Sequence, residues 1–517
     1  MIHVDDDVLS DHDSDDEESV VLLRYRTTDS EDWSCVREGE EGGDVSPIPY
    51  TRESELFNVN ITEEELEQLK DDNGDIRYYK VVEHLLPKFD GESYFEFLAA
   101  RMRSYMTHIM RSDGYKPKWY DPENNHVILG DHVCRFFGVQ TARMLRGYPS
   151  INDTWPSRES LDEVGVVTKC MSKNAFQDMY RCLHFADDWD EEDGVKWDDV
   201  YLDSKYKSPD LARHRAKFAT VEDAYNARWK EVVIFGRCLT FDESRIAGWY
   251  KSAITIGPDP KPIRTGATVH SMCVTFGPLA GFKLHVRVYG GKTDEDLCKT
   301  TSYTGTTQKF INLLDEFLSE FKGLGHYATM DSAYMGDVMA QIGREAWKIN
   351  MVGTTQSNRV GADVKEERKR MKVGTYECVF YQHNELPLCV ALWADNNIVT
   401  TLSNFHSPTV LQEGEGMLHR KKGGDGKRER VRTPVKCPAQ NKTYSLSFHQ
   451  IDKSNGKEAK YDLGGKSQTH NWCPKIVLRL FNIGNSNSCV YYERLLELYT
   501  PNRRKLKMKE AIYLRTE

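Results

Sequence analysis

Two aspartates in this chain stand where carboxylates can do chemistry. Asp242 follows the apolar run of "EVVIFGRCLTFDES", and Asp331 follows the short β-like run in "GHYATMDSAYMGD". Carboxylates at the ends of strands can hold a pair of divalent cations about 4 Å apart, which activate a water or a 3′-hydroxyl and offset charge on a leaving oxygen. Mg²⁺ prefers hard oxygen donors, so aspartates suit it better than His or Cys. The spacing alone leaves a second reading open, because a chain with 80 acidic residues offers many such pairs and a strand-end cap looks the same. Glu243, beside Asp242, reads as an ion-paired neighbour.

The elements around these acids predict an α/β fold. After Asp242, "ATVHSMCVTF" and "GFKLHVRVYGG" flank the turn "GPLA" as an antiparallel hairpin. "TTQKFINLLDEFLSEF" then puts Phe310, Ile311, Leu313, Leu314, Phe317, Leu318 and Phe321 on one helical face before Asp331. Strand–acid, two strands, helix, strand–acid is the order in which ribonuclease H-like folds bring two carboxylates side by side. That predicts a core over 231–345 and 437–497. Residues 59–230 read as helical: "ITEEELEQLK" offers a threonine cap with acids in its first turn, and "YFEFLAARMRSYMTHIMR" repeats apolar residues at helical spacing. Residues 346–436 read as a β-rich insertion with the strands "YECVFYQ", "LCVALWAD" and "NIVTTLSNF".

Charge is unevenly distributed. Residues 1–70 hold 22 acidic and five basic residues, so the remainder carries a net +6 although the whole chain is −11. Residues 1–58 read as an acidic, disordered tail. Ser10 and Ser14 each precede an acid by three positions there, a pattern acidophilic kinases favour, and a solvating role is the plainer reading. Residues 419–436 carry eight basic and two acidic side chains around glycines, which predicts a mobile basic loop; 498–517 read as a basic tail. No apolar run reaches the roughly 18 residues of a membrane span, and the N-terminus lacks a secretory pattern. The 12 cysteines form no CxxC pair, which predicts reduced, structural thiols and a cytosolic or nuclear protein.

The ordered motifs resemble the piggyBac family of DNA transposases and its domesticated derivatives. "LRGYPSINDTW" (145–155) and "MSKNAFQDMYRCLHFAD" (171–187) are similar to two recurring motifs ahead of the catalytic core. "LTFDES" with "KPIRTG" (261–266) resembles the first catalytic motif, and "YATMDSAYMGD" the second. "VGTTQSNR" (352–359) and "LWADNNIVTTLSNFH" (392–406) resemble two more. "YSLSFHQIDKSN" keeps Tyr444 and Asp452 at the spacing of the third, and Trp472 and Asn487…Tyr492 follow in order. The resemblance implies a DDD-type transposase in which Asp242, Asp331 and Asp452 hold Mg²⁺ (or Mn²⁺). It also implies double-stranded DNA partners, namely transposon ends and TTAA targets, a helical region for dimerisation and DNA contact, a homodimer and a nuclear location. No membrane partner and no small-molecule substrate is expected. The acidic tail would then compete with DNA for basic surface.

Departures keep a second class open, a catalytically inactive, domesticated DNA-binding or chromatin-associated protein. The family's Gly-Gly before the third aspartate is His449-Gln450, and the additional aspartate three residues beyond it is Asn455. Ser332 replaces an asparagine, and "AGWYKSA" follows where an Arg-rich turn is usual. The 25 residues after Tyr492 contain neither Cys nor His, so the family's zinc domain has no counterpart there. Arg420, Lys421, Lys422, Lys427, Arg428, Arg430 and Arg432 read as a DNA-phosphate contact, an import signal or a solubilising loop. His184, His326 and Trp472 read as packing residues. No Ser-His-Asp set or Gly-rich nucleotide loop stands out.

Overall fold

A computed structural model describes residues 25, 28–37, 40, 42–43, 45–112, 114–147, 151–155, 165–185, 218–248, 255–256, 263–290, 306–422, 428–464 and 472–500. Ser10, Ser14, Lys261, Lys427 and the basic tail from 501 onward lie outside the described residues. The described strands are β1 (Trp33–Val36), β2 (Asn58–Val59), β3 (Val233–Ile234), β4 (Cys238–Ala247), β5 (Thr255–Ile256), β6 (Gly266–Val274), β7 (Lys283–Val288), β8 (Tyr327–Met330), β9 (Asn350–Thr354), β10 (Cys378–His383), β11 (Cys389–Ala394), β12 (Ile398–Ser403), β13 (Leu411–Lys422) and β14 (Arg428–Pro438). The chain forms two compact units: Met1–Thr51 with Asp296–Leu446, and Arg52–Glu295 with Ser447–Glu517. The α/β class expected from sequence holds at this level.

The second unit opens with helices. Thr62 caps Glu63–Gln68 by accepting from Glu65 N at 3.2 Å, while Glu65 Oε2 accepts from Thr62 N at 2.9 Å, the reciprocal cap that "ITEEELEQLK" predicts. Helices Tyr94–Ser112, Gly130–Arg146 and Lys173–Arg181 follow. Gly147 stops the second of these at φ 70°, a conformation any Cβ would resist. The C-terminal helix Cys473–Tyr499 is buried at every residue from Cys473 to Cys489. Its Phe481 stacks on Phe137 with centroids 4.0 Å apart.

Strand β6 is flanked by β4 on one side and by β5 and β7 on the other, all antiparallel, so the predicted hairpin is β6–β7. Among the described residues β7 pairs with β6 alone, and the helix Ala219–Glu231 meets its other backbone groups with side chains. Asn226 donates to Val286 O at 2.9 Å and accepts from Val286 N at 2.8 Å, and Glu222 accepts from Val288 N at 2.6 Å. Buried backbone groups without such partners would each cost on the order of 1–3 kcal/mol. Strand β4 does not end at Asp242 as expected. It pairs with β6 without interruption from Leu239↔Val274 to Ala247↔Gly266, so Asp242 lies mid-strand opposite Ser271. The ladder comes from β6 and is indifferent to two acidic side chains; glycine at 266 lets the strands close, since a Cβ there would collide with the Ile246 carbonyl.

The first unit carries a mixed sheet in the order β1-β10-β11-β12-β9-β8, antiparallel except for the parallel pair β8/β9. The predicted helix is Thr306–Phe317, and Ile311, Leu313, Leu314, Phe317, Leu318 and Phe321 are buried as its spacing requires. Two expectations are corrected here. The acidic tail is not disordered throughout: β1 adds to the edge of β10, pairing Trp33 with His383 and Val36 with Phe380, and Val36 joins Phe380, Cys389 and Ala391 in one apolar cluster. Burial of Trp33 and Val36 at the two ends of "WSCV" is enough to hold it in a sheet once an open edge is available. The basic loop is in fact a ribbon, β13 paired with β14, with Leu418↔Arg432, Arg420↔Arg430, Lys421↔Glu429 and Lys422↔Arg428 in register. The β-branched alternation of "RVRTPVK" carries β14 as a strand.

No described helix is long and apolar enough to cross a membrane. The described cysteines are all free, and burial pushes the Cys238 and Cys273 thiols up to about 11 and about 12, which keeps them protonated.

Candidate functional site

In the second unit, β4 places the Asp242 carboxylate at 9% exposure. An oxygen of Asp242 and one of Glu243 lie within 4.8 Å of each other, so Glu243 brings a second hard donor to the same stretch of strand. That oxygen-only donor chemistry fits Mg²⁺ or Mn²⁺ and does not fit a softer ion.

Asp242 does not face this region alone. Asn455, on the helix Ala439–Lys460, donates from Nδ2 to Asp242 Oδ2 at 2.7 Å. The Asn455 Oδ1 accepts from Lys283 Nζ at 2.9 Å, and Lys283 Nζ donates to Glu458 Oε2 at 2.7 Å. Arg479 Nη2 lies 2.7 Å from the same Glu458 oxygen and donates to Ser244 Oγ at 2.8 Å. Lys283 and Glu458 are fully buried, and Arg479 is 5% exposed. Burial draws the Lys283 ammonium down from its usual range, and the Glu458 carboxylate opposes this. Removing Glu458 would leave two buried cations facing each other, a loss of about 3–5 kcal/mol for a broken buried pair.

Asp452 sits three residues before Asn455 on the same helix and is exposed. Partial loss of water raises its carboxyl, against the pull of His449 one turn back. Of these two positions, Asn455 is the one hydrogen-bonded to Asp242.

In the first unit, Asp331 follows β8 directly, as the sequence predicts. Its Oδ1 accepts from Ala333 N at 2.8 Å, and its carbonyl accepts from Tyr334 N and Met335 N at 3.2 and 3.1 Å. Arg359 Nη1 braces the turn from outside, donating to Ser332 O at 3.1 Å and to Ala333 O. Burial lowers the Arg359 guanidinium and the Asp331 charge opposes that shift.

Of the basic residues singled out by sequence, Arg420, Lys421 and Lys422 lie on β13, and Arg428, Arg430 and Arg432 on β14. The packing readings hold for His184, stacked 4.6 Å from Tyr105, for His326, wedged between Tyr50 and Phe321, and for Trp472, 2% exposed against Phe218. Lys283, Glu458 and Arg479 were missed by the sequence reading. For Lys283 and Arg479 the signal was a basic residue inside an apolar run, as in "GFKLHVRV" and "KIVLRLF"; Glu458, in the polar stretch "SNGKEAKYD", carried none.

Residues 85–489 match the family model described as Transposase IS4, and the chain belongs to that family. Among solved structures it is similar to one described as the cryo-EM structure of a piggyBac transposase synaptic complex with hairpin DNA. That match has 16% identity and a TM-score of 0.61 and covers 85% of this chain and 79% of the other. At that identity the likeness speaks for the fold. Together the two findings bear out the piggyBac-type resemblance read from the motifs: the chain is a piggyBac-like transposase or a derivative of one.

Proposed function

We propose that this protein cuts and joins DNA as a metal-dependent transposase, with Asp242, Asp331 and Asp452 as its carboxylate set and duplex DNA carrying transposon ends and TTAA targets as its substrate. The observation that carries this reading is the Asp242–Glu243 carboxylate pair on β4 inside a chain of a transposase family. A ribonuclease H-like core, a homodimer and a nuclear location belong to the same proposal.

Mg²⁺ or Mn²⁺ bound to these oxygens would supply an activated water or hydroxyl and relief of charge at the scissile phosphate. Asp242 and Asp331 present carboxylates from positions fixed by strand pairing and by the braced turn, which limits their motion during a reaction. Asp452, with its raised carboxyl, is a group that can hold a proton at higher pH than an ordinary aspartate. The β13–β14 ribbon sets Arg420 opposite Arg430 and Lys422 opposite Arg428. A run of basic residues of this kind gains affinity for a polyanion by releasing its counterions.

The test is Mg²⁺-dependent nicking and hairpin formation on a duplex that carries TTAA and the DNA flanking the coding sequence. Activity lost in Asp331→Ala at matched folding supports the proposal; wild type without any cleavage rejects it. Size-exclusion chromatography with light scattering reads the dimer, and a fluorescent fusion reads the location. The amide of Asn455 on Asp242 favours a second reading, a DNA-binding derivative with weakened chemistry. Salt-sensitive duplex binding without cleavage, reduced in Arg430→Ser, would be its signature, and loss of one phosphate contact should lower the salt slope by about 1.

A further inference from the structure

An asparagine amide has a donating end and an accepting end, and its partners decide which way it points. At Asn455 the choice is forced. Lys283 Nζ can only donate, so it takes Oδ1 at 2.9 Å; an ionised Asp242 can only accept, so it takes the NH₂ at 2.7 Å. Lys283 cannot turn away, because its buried ammonium is also tied to Glu458 at 2.7 Å, and Glu458 is tied to Arg479 at 2.7 Å. Ser454 Oγ, bonded to Gly281 O at 3.0 Å, sits at 3.5 Å from the other Glu458 oxygen.

The group presented to Asp242 Oδ2 is therefore the positive end of an amide. A cation approaching that oxygen meets an N–H where a carboxylate ligand would help it. Rotating the amide to offer Oδ1 would break the Lys283 bond and push NH₂ against an ammonium. Resting on the metal-dependent reading above, we infer that Asn455 is a positioning residue that competes with the divalent cation for Asp242. Lys283, Glu458 and Arg479 hold it in the competing orientation. The network thereby raises the cation concentration at which Asp242 becomes a ligand. An aspartate at 455 would reverse the effect, because its second oxygen would face Asp242 and the two like charges would call for a cation between them.

The experiment is Mn²⁺ titration of the full chain, read as the loss of the free-ion electron paramagnetic resonance signal, with circular dichroism confirming folding. Wild type, Asn455→Ala, Asn455→Asp and Asp242→Asn are compared. Asn455→Ala removes the donor without adding charge and should bind Mn²⁺ roughly threefold tighter or more, because a hydrogen bond to a charged group no longer has to be broken. Asn455→Asp should bind about tenfold tighter or more, as a further carboxylate joins the oxygen donors. Equal or weaker binding by Asn455→Ala overturns the inference, since Asn455 would then be a bystander or a ligand. If Asp242→Asn titrates like wild type, the cation is not on Asp242, and the metal reading fails together with the inference. Loss of binding in Asp242→Asn with no gain in Asn455→Ala rejects the competition alone.

Discussion

The Thr28 backbone N–H and hydroxyl both donate to a single oxygen of Asp337, at 2.7 and 2.8 Å. Thr28 Oγ1 in turn accepts from Trp33 Nε1 at 2.9 Å and from Gly361 N at 3.2 Å, so one side chain anchors the segment that leads into β1. Thr28→Ala should lower stability by about 1–3 kcal/mol through the unpaired buried groups it leaves, read as a shift in Tm. Removing residues 1–24 deletes nine acidic residues and should tighten duplex binding at low salt. Removing residues 1–36 should lower Tm, because β10 loses its partner strand. Equal Tm for the two truncations would show that β1 contributes nothing to the sheet.

Arg359 reaches the carbonyls of Ser332 and Ala333 and so fixes the turn on which Asp331 rides. Arg359→Ala should reduce Mg²⁺-dependent cleavage by about tenfold to a hundredfold while duplex affinity stays within twofold, because small misplacements of a catalytic group carry costs of that size. Arg359→Lys should recover little, since the lysine side chain is one bond shorter and does not carry its ammonium to the place of Nη1, which serves both carbonyls. Cleavage at the wild-type rate in Arg359→Ala would remove Arg359 from the positioning of Asp331.

Asp178 accepts from Tyr115 Oη at 2.8 Å and from three successive backbone N–H groups, Lys118, Trp119 and Tyr120, at 2.9, 2.6 and 3.1 Å. The carboxylate pushes the Tyr115 phenol, already raised by burial, up to about 12. Asp178→Ala should destabilise by about 3–5 kcal/mol, because three amides lose their acceptor in a buried place. Asp178→Asn keeps one accepting oxygen and should lose less. Urea denaturation of both variants measures the difference, and equal losses would mean that the accepting oxygen contributes nothing without its charge.

These anchors show why the sequence was legible in some places and not in others. Apolar spacing announced the helix Thr306–Phe317 and the β6–β7 hairpin, because burial on one face leaves a period of 3.6 or 2 in the chain. Motif order placed Asp331 after its strand. The continuation of β4 past Asp242 was hidden, since what sustains it is the backbone of β6, and "DESR" carries no apolar signal of its own. The same applies to β1, where an open sheet edge 350 residues away turns four residues of an acidic tail into a strand. Asn455 could be read as a departure from the family pattern, and Glu458 stands one turn further along the same helix, but the hold on Asp242 also depends on Lys283, 172 residues away, and on Arg479 from the next helix. Partners at such separations leave no local trace.

His84 and His406 give the protein an acid-sensitive window. Burial depresses both to about 4, helped at His84 by the Arg228 charge. His406 is held neutral between Ser403 Oγ at 2.8 Å and Thr443 Oγ1 at 3.1 Å. Unfolded histidine titrates near 6.5, so between that value and about 4 the unfolded chain binds more protons than the folded one. Stability therefore falls as pH drops through this window and is fully present above it. At pH 5 each histidine should cost about 2 kcal/mol relative to pH 7.5, one pKa unit being about 1.4 kcal/mol. His406→Gln keeps a polar side chain in the space but cannot take up the proton, so its stability should fall less steeply than wild type from pH 7.5 to 5. Parallel slopes for the two proteins in denaturant titrations would show that His406 takes up its proton as readily in the native state as in the unfolded chain.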